Sequence, residues 1–372
     1  QQAALFFIED STGFDPLQPW RVELLVHGAG AGEAVSVAMP LTYELPAVHI
    51  LLPETEPRPA WIDAWLDERT NVAVVAVMLI VLTLLLIFQA RLTSRPRVHR
   101  WARNGFLTFM LIWLGWIAGA QVSIVNVMNY VLAPFRNFEL GFYLAEPIMV
   151  MVVVYSVVAL VVIGHGVFCG WLCPFGALQE LLAQVARFFK LPQWRPPERL
   201  QKGMRLGKYA SAAAVLGLAF FSLEMASTAA EVEPFKTAIT SKFTRAWPFL
   251  AYAGIVLGAG LFTERAFCQY LCPLGGTLAV LDRLHVFKIL KRRDECGSPC
   301  RLCERTCPVN AIERSGKIIM SECILCLDCQ VEYTDDHRCP PLVQERKERT
   351  RERLAAITPP PMNPSFKWML PI

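Results

Sequence analysis

Twelve cysteines in 372 residues fall into two kinds of pattern, and each pattern selects a chemistry. Toward the C-terminus, CGSPCRLCERTCP supplies Cys296, Cys300, Cys303 and Cys307, and CILCLDCQVEYTDDHRCP supplies Cys323, Cys326, Cys329 and Cys339. Both runs end in Cys-Pro, with fifteen residues between them. This is the spacing of a module with two [4Fe–4S] clusters, in which the fourth cysteine of each run ligates the other run's cluster. One cluster then takes Cys296, Cys300, Cys303 and Cys339, and the other takes Cys323, Cys326, Cys329 and Cys307. Both departures from regular spacing touch the first set: three residues separate Cys296 from Cys300, and nine separate Cys329 from Cys339. Zinc competes for CxxC pairs, but eight thiols with Cys-Pro endings favour clusters. A reducing compartment disfavours disulfides.

The other four cysteines form a repeat. VFCGWLCPFG (Val167 to Gly176) is written again as AFCQYLCPLG (Ala266 to Gly275), 99 residues later. Phe168 matches Phe267, Trp171 matches Tyr270, Pro174 matches Pro273 and Gly176 matches Gly275. On a helix, positions i and i+4 share a face, so Cys169 pairs with Cys173 and Cys268 with Cys272. If a pseudo-twofold axis relates the copies, four soft thiolates converge, which suits an iron–sulfur cluster, copper(I), zinc or a dithiol relay. Simple helix packing and termination is the competing explanation, and the duplication argues against it. His165 extends the first thiol face and Glu264 is its counterpart. These two, with Glu224, are candidate accessory or proton-handling groups, since ionisable residues near a span suggest function.

The elements that must hold these thiols are apolar. The hydrophobic fraction is 54%, mean hydropathy is +0.38 and formal net charge is +4, which fits a metal-carrying membrane protein better than a soluble enzyme or a disulfide scaffold. Asn71 to Ala90 is an uncharged stretch of the length that crosses roughly 30 Å of hydrocarbon. Further spans are expected at about 105–125, 147–166, 209–225 and 247–262. Arg91, Arg95, Arg97, Arg100 and Arg103 follow the first span, and seven Lys/Arg from Arg187 to Lys208 follow the third. The positive-inside bias therefore puts those loops in the cytoplasm, residues before Asn71 outside and everything after Phe267 inside. Both thiol pairs then lie at the cytoplasmic ends of spans. VNAIERSGKIIMSEC reads as a helix, a turn at Ser315-Gly316 and a strand. Gln344 to Leu354 reads as a charged helix, and PPPMNPSF as an irregular end. The chain opens at Gln1 without an initiator Met or a leader, which predicts the downstream part of a longer protein.

Over residues 71–345 the chain resembles the membrane polyferredoxins with paired CxxxCP motifs, and most of all the NosR family, associated with nitrous oxide reduction. CGWLCPFGALQE, EVEPFKTAIT and YLCPLGG carry the likeness. FDPLQPWRVELLVHG and AVSVAMPLTYELPAVHILLP add strands of a β-rich extracytoplasmic piece. The expected fold is a polytopic α-helical membrane protein of about five transmembrane helices in a duplicated hairpin, with a C-terminal α+β ferredoxin-like domain. The expected domains are 1–70 (end of a periplasmic β-rich domain), 71–285 (transmembrane), 286–345 (cytoplasmic ferredoxin) and 346–372 (charged, Pro-rich tail).

The resemblance implies an inner-membrane electron-transfer component that supports periplasmic nitrous oxide reductase by electron delivery, activation or expression, in contact with that enzyme or its maturation proteins. It also implies FMN bound covalently to a threonine of an upstream domain. No Ser-Gly-Ala-Thr type sequence occurs here, so no flavin residue is carried over. Separately, crossing roughly 30 Å of hydrocarbon to a periplasmic acceptor needs another carrier, and quinol from the quinone pool is the expected one, with a quinol-oxidising role. Quinone is placed between the spans near Trp113, Trp116 and Gln121. Two other classes stay open: a NapH-type quinol dehydrogenase, and a metal-handling assembly factor for a copper enzyme. Nothing resembles a DNA-binding helix or basic recognition patch, so direct nucleic-acid binding is not expected.

Overall fold

In the computed structural model, which describes residues 19–29, 34–43, 59–132, 140–298 and 300–357, the uncharged stretch after Arg69 is one helix, α1 (Arg69–Ile87). Its inward stripe is Val75, Met78, Leu79, Leu82 and Leu86. The opposite side is just as apolar and uncovered: Val77, Ile80 and Ile87 are 60%, 59% and 65% exposed. A helix that is hydrophobic all round needs an apolar surround on every side. Among the described residues, α1 is the one helix both long and apolar enough to cross a membrane.

The basic loop after α1 leads into α2 (Pro96–Phe109), which continues as a π-helical stretch, Met110–Ile117. The helix stops well short of residue 125, because Gly119 takes a left-handed backbone (φ +65°) that glycine adopts without steric cost. The two halves of the repeat then run in parallel. Each has an apolar helix opened by proline, α3 (Pro147–Val162) and later α6 (Trp247–Phe262), 16 residues apiece. Each passes through a CxxxCP motif into a second helix, α4 (Pro174–Phe188) and later α7 (Pro273–Leu281). Between the halves lies α5 (Glu198–Phe221), which begins eleven residues before the expected span at 209. Its first turns are basic and bind the C-terminal module.

Helix α4 packs on α2 and α6, and α7 packs on α5. The second contact is close. A Cβ on Gly276 would stand 2.3 Å from the carbonyl oxygen of Lys208. Gly276→Ala should therefore overpack this seam and cost about 1–3 kcal/mol, seen as a lower thermal midpoint of the detergent-solubilised protein.

The C-terminal module holds the eight remaining cysteines in loops, short helical turns and α8 (Asp328–Thr334). The helix expected just before Ser315 does not form. Asn310 is left-handed (φ 49°) and the amide of Ala311 donates to Cys307 Sγ at 3.2 Å, so the backbone wraps a sulfur instead of propagating a helix. Ile312 and Ile318 then form an isolated antiparallel bridge around the turn. The charged segment lies in the last described helix, Pro340–Ile357; PPPMNPSF lies outside the described residues.

The chain divides into two compact units, Gln1–Ala60 and Trp61–Ile372. In the first, β1 (Trp20–Ala29) pairs antiparallel with β2 (Ala34–Tyr43), in a register from Trp20↔Tyr43 to Ala29↔Ala34. These strands fall inside the two stretches expected to be extended. The rest of those stretches, 14–18 and 44–53, lies outside the described residues.

Candidate functional site

Cys169, Cys173, Cys268 and Cys272, drawn from two motifs 99 residues apart, line one enclosed cavity. They reach it by a route that i, i+4 helix geometry does not describe. Phe168–Leu172 is a π turn, and Cys173 leaves it with extended backbone (φ −78°, ψ 111°) to become the N-cap of α4. Cys272 does the same for α7 (φ −61°, ψ 113°). Proline follows each because the first helical position has no amide to lose. The sulfurs accept from the first free amides: Gly176 N to Cys173 Sγ at 3.4 Å and Gly275 N to Cys272 Sγ at 3.2 Å. A helix N-terminus carries partial positive charge, so each sulfur is given a donor where the helix starts. Gln121 Nε2 also reaches Cys173 Sγ at 3.7 Å, and Gln179 Oε1 lies 3.2 Å from Cys268 Sγ. Lys208 and Arg265 line the same cavity and supply cationic charge beside the sulfurs.

A buried ion triad fixes the motifs against each other. Glu180 accepts from Arg103 Nε at 2.7 Å and from Arg265 Nη2 at 2.6 Å. Arg265 also donates to the carbonyls of Cys169 and, at 3.2 Å, Gly170. A residue preceding the second motif thereby holds the backbone of the first. Burial alone would raise the Glu180 carboxyl, but the two guanidinium charges hold it at about 2. On the far side, Glu233 accepts from Ile124 N at 3.1 Å and Leu274 N at 3.3 Å. Its burial outweighs those two bonds and pushes its carboxyl up to about 8.

In the C-terminal module, Cys307, Cys323, Cys326 and Cys329 are all buried, and burial pushes the Cys323, Cys326 and Cys329 thiols up. Cys296, Cys300 and Cys303 are partly buried, and Cys339 is buried. Backbone amides point at sulfurs here too, Ala311 N at Cys307 and Leu325 N at Cys323 (3.4 Å), which is how a protein satisfies buried thiolates. The three-residue gap at Cys296 is absorbed by Gly297 (φ +104°), whose amide donates to Cys300 O at 2.7 Å. Among the described residues, no group of three or more His, Cys, Asp or Glu is close enough to hold a single metal ion.

The two thiol sets touch. The Cys323–Leu325 loop lies on the first motif: Trp171 Nε1 donates to Leu325 O at 2.9 Å, and Val309, Glu322 and Ile324 wall the four-thiol cavity. Lys208 Nζ and Arg205 Nε hold Glu322 at 2.9 and 3.3 Å, and His99 Nε2 lies 3.0 Å from Cys326 O. Cys303 Sγ contacts Cys329 O at 3.6 Å, joining the two groupings within the module.

The accessory candidates separate. His165 lines the cavity, but its Nδ1 is bonded to Asp282 at 2.9 Å. Glu264 lies outside the cavity and pairs with Arg187 at 2.5 Å; burial nevertheless raises its carboxyl. Glu224 is exposed at the start of a short helix, away from the thiols. Of the three residues near which quinone is expected, Gln121 serves Cys173 and Phe175 N and Trp116 Nε1 donates to Ala238 O at 3.3 Å, while Trp113 Nε1 is buried with no hydrogen-bond partner among the described residues. Glu180, Glu233 and Arg265 are functional residues that the sequence did not single out, and Arg103 was legible only as one of a basic series. The signal available was a charge embedded in the apolar neighbourhood of each motif, in GALQE, EVEPF and TERAF.

A NosR family model matches residues 294–350, and a 4Fe-4S binding domain model matches twice, over 145–192 and 245–292, the stretches that carry the two CxxxCP motifs. The chain is 41% identical over 362 residues to the Regulatory protein NosR of Pseudomonas aeruginosa, covering 94% of this chain and 51% of the relative. It is 42% identical to Protein NirI of Paracoccus denitrificans, covering 93% and 50%. A second, shorter Regulatory protein NosR from Pseudomonas aeruginosa is 48% identical over 85 residues, 23% of this chain and 85% of the relative. The chain spans about half the length of the first two relatives. No solved structure matches it.

Proposed function

This chain belongs to the NosR family, and from that premise we propose that it is the membrane electron-transfer part of a protein supporting periplasmic nitrous oxide reductase. Its residues hold iron–sulfur clusters in three places: Cys296, Cys300, Cys303 and Cys339; Cys307, Cys323, Cys326 and Cys329; and the four CxxxCP thiols. When bound, such clusters supply one-electron oxidation and reduction at low potential. The observation that carries the reading is the unbroken contact from Cys303 to Cys329, and from the Cys323–Leu325 loop to the four-thiol cavity.

The five helices α1, α2 with its π-helical end, α3, α5 and α6 serve as spans, with the ferredoxin-like domain at 286–345 in the cytoplasm. The basic starts of α2 and α5 support that orientation, because His99 and Arg205 both bond the C-terminal module. Gln121 and Glu233 belong to segments at the opposite ends of α2 and α5, yet both reach the helix starts of the thiol motifs. The four-thiol centre is therefore sunk between the two membrane faces, which shortens the roughly 30 Å that an electron would otherwise have to cross. The quinone pool is the redox partner on this reading.

The test is Cys326→Ser in the full-length protein, in a denitrifying host that lacks its own copy. Loss of about four irons per chain together with loss of nitrous oxide consumption is expected. Unchanged consumption with the irons gone would overturn the electron-transfer role.

A further inference from the structure

The two copies of the CxxxCP motif present the same backbone to different neighbours. We propose that the first copy is the port at which the C-terminal module couples to the four-thiol centre, and that Gly166 and Gly170 are the positioning residues that open it. The proposal rests on the reading of both thiol sets as iron–sulfur ligands.

At the first copy the module's backbone enters the motif itself. A Cβ on Gly170 would stand 1.7 Å from Ile324 O, and one on Gly166 2.5 Å from Cys323 O. No side chain fits at either place. Trp171, next after Gly170, closes the contact through its bond to Leu325 O.

Shifted by 99 residues, the same positions in the second copy are Arg265 and Gln269. Both are buried, at 0% and 6% exposure, and both are engaged: Arg265 with Glu180, and Gln269 Nε2 with Glu264 O at 2.7 Å. The notch is filled by the chain's own side chains. Tyr270, the counterpart of Trp171, has a buried hydroxyl with no hydrogen-bond partner among the described residues. Its carbonyl instead faces Gly207 of α5, where a Cβ would stand 2.6 Å away. At the second copy the Tyr270 backbone thus packs on α5, and the module reaches the following helix, α7, through Met320–Glu322.

The duplicated site is symmetric in its sulfurs and asymmetric in its access. A single electron passing between the module and the four-thiol centre crosses the Ile324–Gly170 contact, oxidising one side and reducing the other, with no bond made or broken.

The experiment uses the full chain, purified anaerobically and reduced stepwise with dithionite, with EPR reading the magnetic splitting between reduced centres and rapid freezing giving the exchange rate. In Gly170→Ala the splitting should weaken and exchange slow severalfold, because the added methyl group pushes the two centres apart, with iron content unchanged. Trp171→Phe, which loses only the Leu325 bond, should shift both readouts in the same direction and carries the test if the glycine variant does not fold. Tyr270→Phe, its counterpart, should leave both unchanged. Unaltered splitting in Gly170→Ala and Trp171→Phe, or equal loss in Tyr270→Phe, overturns the proposal. Failure of the underlying reading looks different: the unaltered protein would show no splitting, and substituting the four CxxxCP thiols would remove no iron.

Discussion

A variant in which Cys169, Cys173, Cys268 and Cys272 are all serine should purify with about eight irons per chain, where the unaltered protein carries about twelve. The expectation follows from the convergence of two motifs on one cavity and from sulfurs that already accept helix N-terminal amides. Serine preserves volume at each position but replaces a soft thiolate by a hard hydroxyl that does not hold iron–sulfur clusters. The EPR signals of the C-terminal module should survive, because none of its eight ligands is touched. Iron and acid-labile sulfide assays settle the count. Eight irons in both proteins would leave the four thiols as a dithiol relay. Copper lost in place of iron would move the protein toward metal handling.

Glu180→Gln should destabilise the membrane domain by about 3–5 kcal/mol, the usual cost of removing one partner from a buried ionic cluster. Arg103 and Arg265 would keep their charges with no counterion, and the guanidinium that holds the Cys169 and Gly170 carbonyls would lose its anchor. Thermal unfolding in detergent measures the difference. Its pH dependence has a definite sign. The folded carboxyl is held at about 2, below its ordinary 4.5, so the carboxylate contributes its full stabilisation above pH 4.5. That contribution falls away as the pH drops toward 2. The gap between the two proteins should be constant from pH 7 to about 4.5 and narrow below it. A gap that widens in acid would mean that Glu180 is not held ionised by its arginines.

The apolar exterior of α1, with Val77 and Ile87 more than half exposed, matches the uncharged run from Asn71 to Ala90. Two acids of the irregular segment after α5 behave differently although they are neighbours in the chain. Glu231 is bound by Arg245 at 2.6 Å on a partly exposed surface, whereas Glu233, two residues on, is buried at the thiol motif. Alternation of exposure along an irregular segment is invisible to composition.

What the sequence by itself determined is whatever depends on local spacing: the eight-cysteine pattern, the 99-residue repeat, the apolar runs and the side on which Lys and Arg gather. Ligand spacing within a cluster loop and hydrophobic length are short-range properties, legible over about twenty residues. The tertiary structure alone decided which thiols meet, where the helices bend and which charges neutralise one another. Glu180 meets Arg265 across 85 positions, and Trp171 meets Leu325 across 154. Neither partner can be read from its neighbours in the chain. A buried carboxylate is tolerable only where guanidinium groups arrive from elsewhere in the fold, and a glycine notch has meaning only when another backbone fills it.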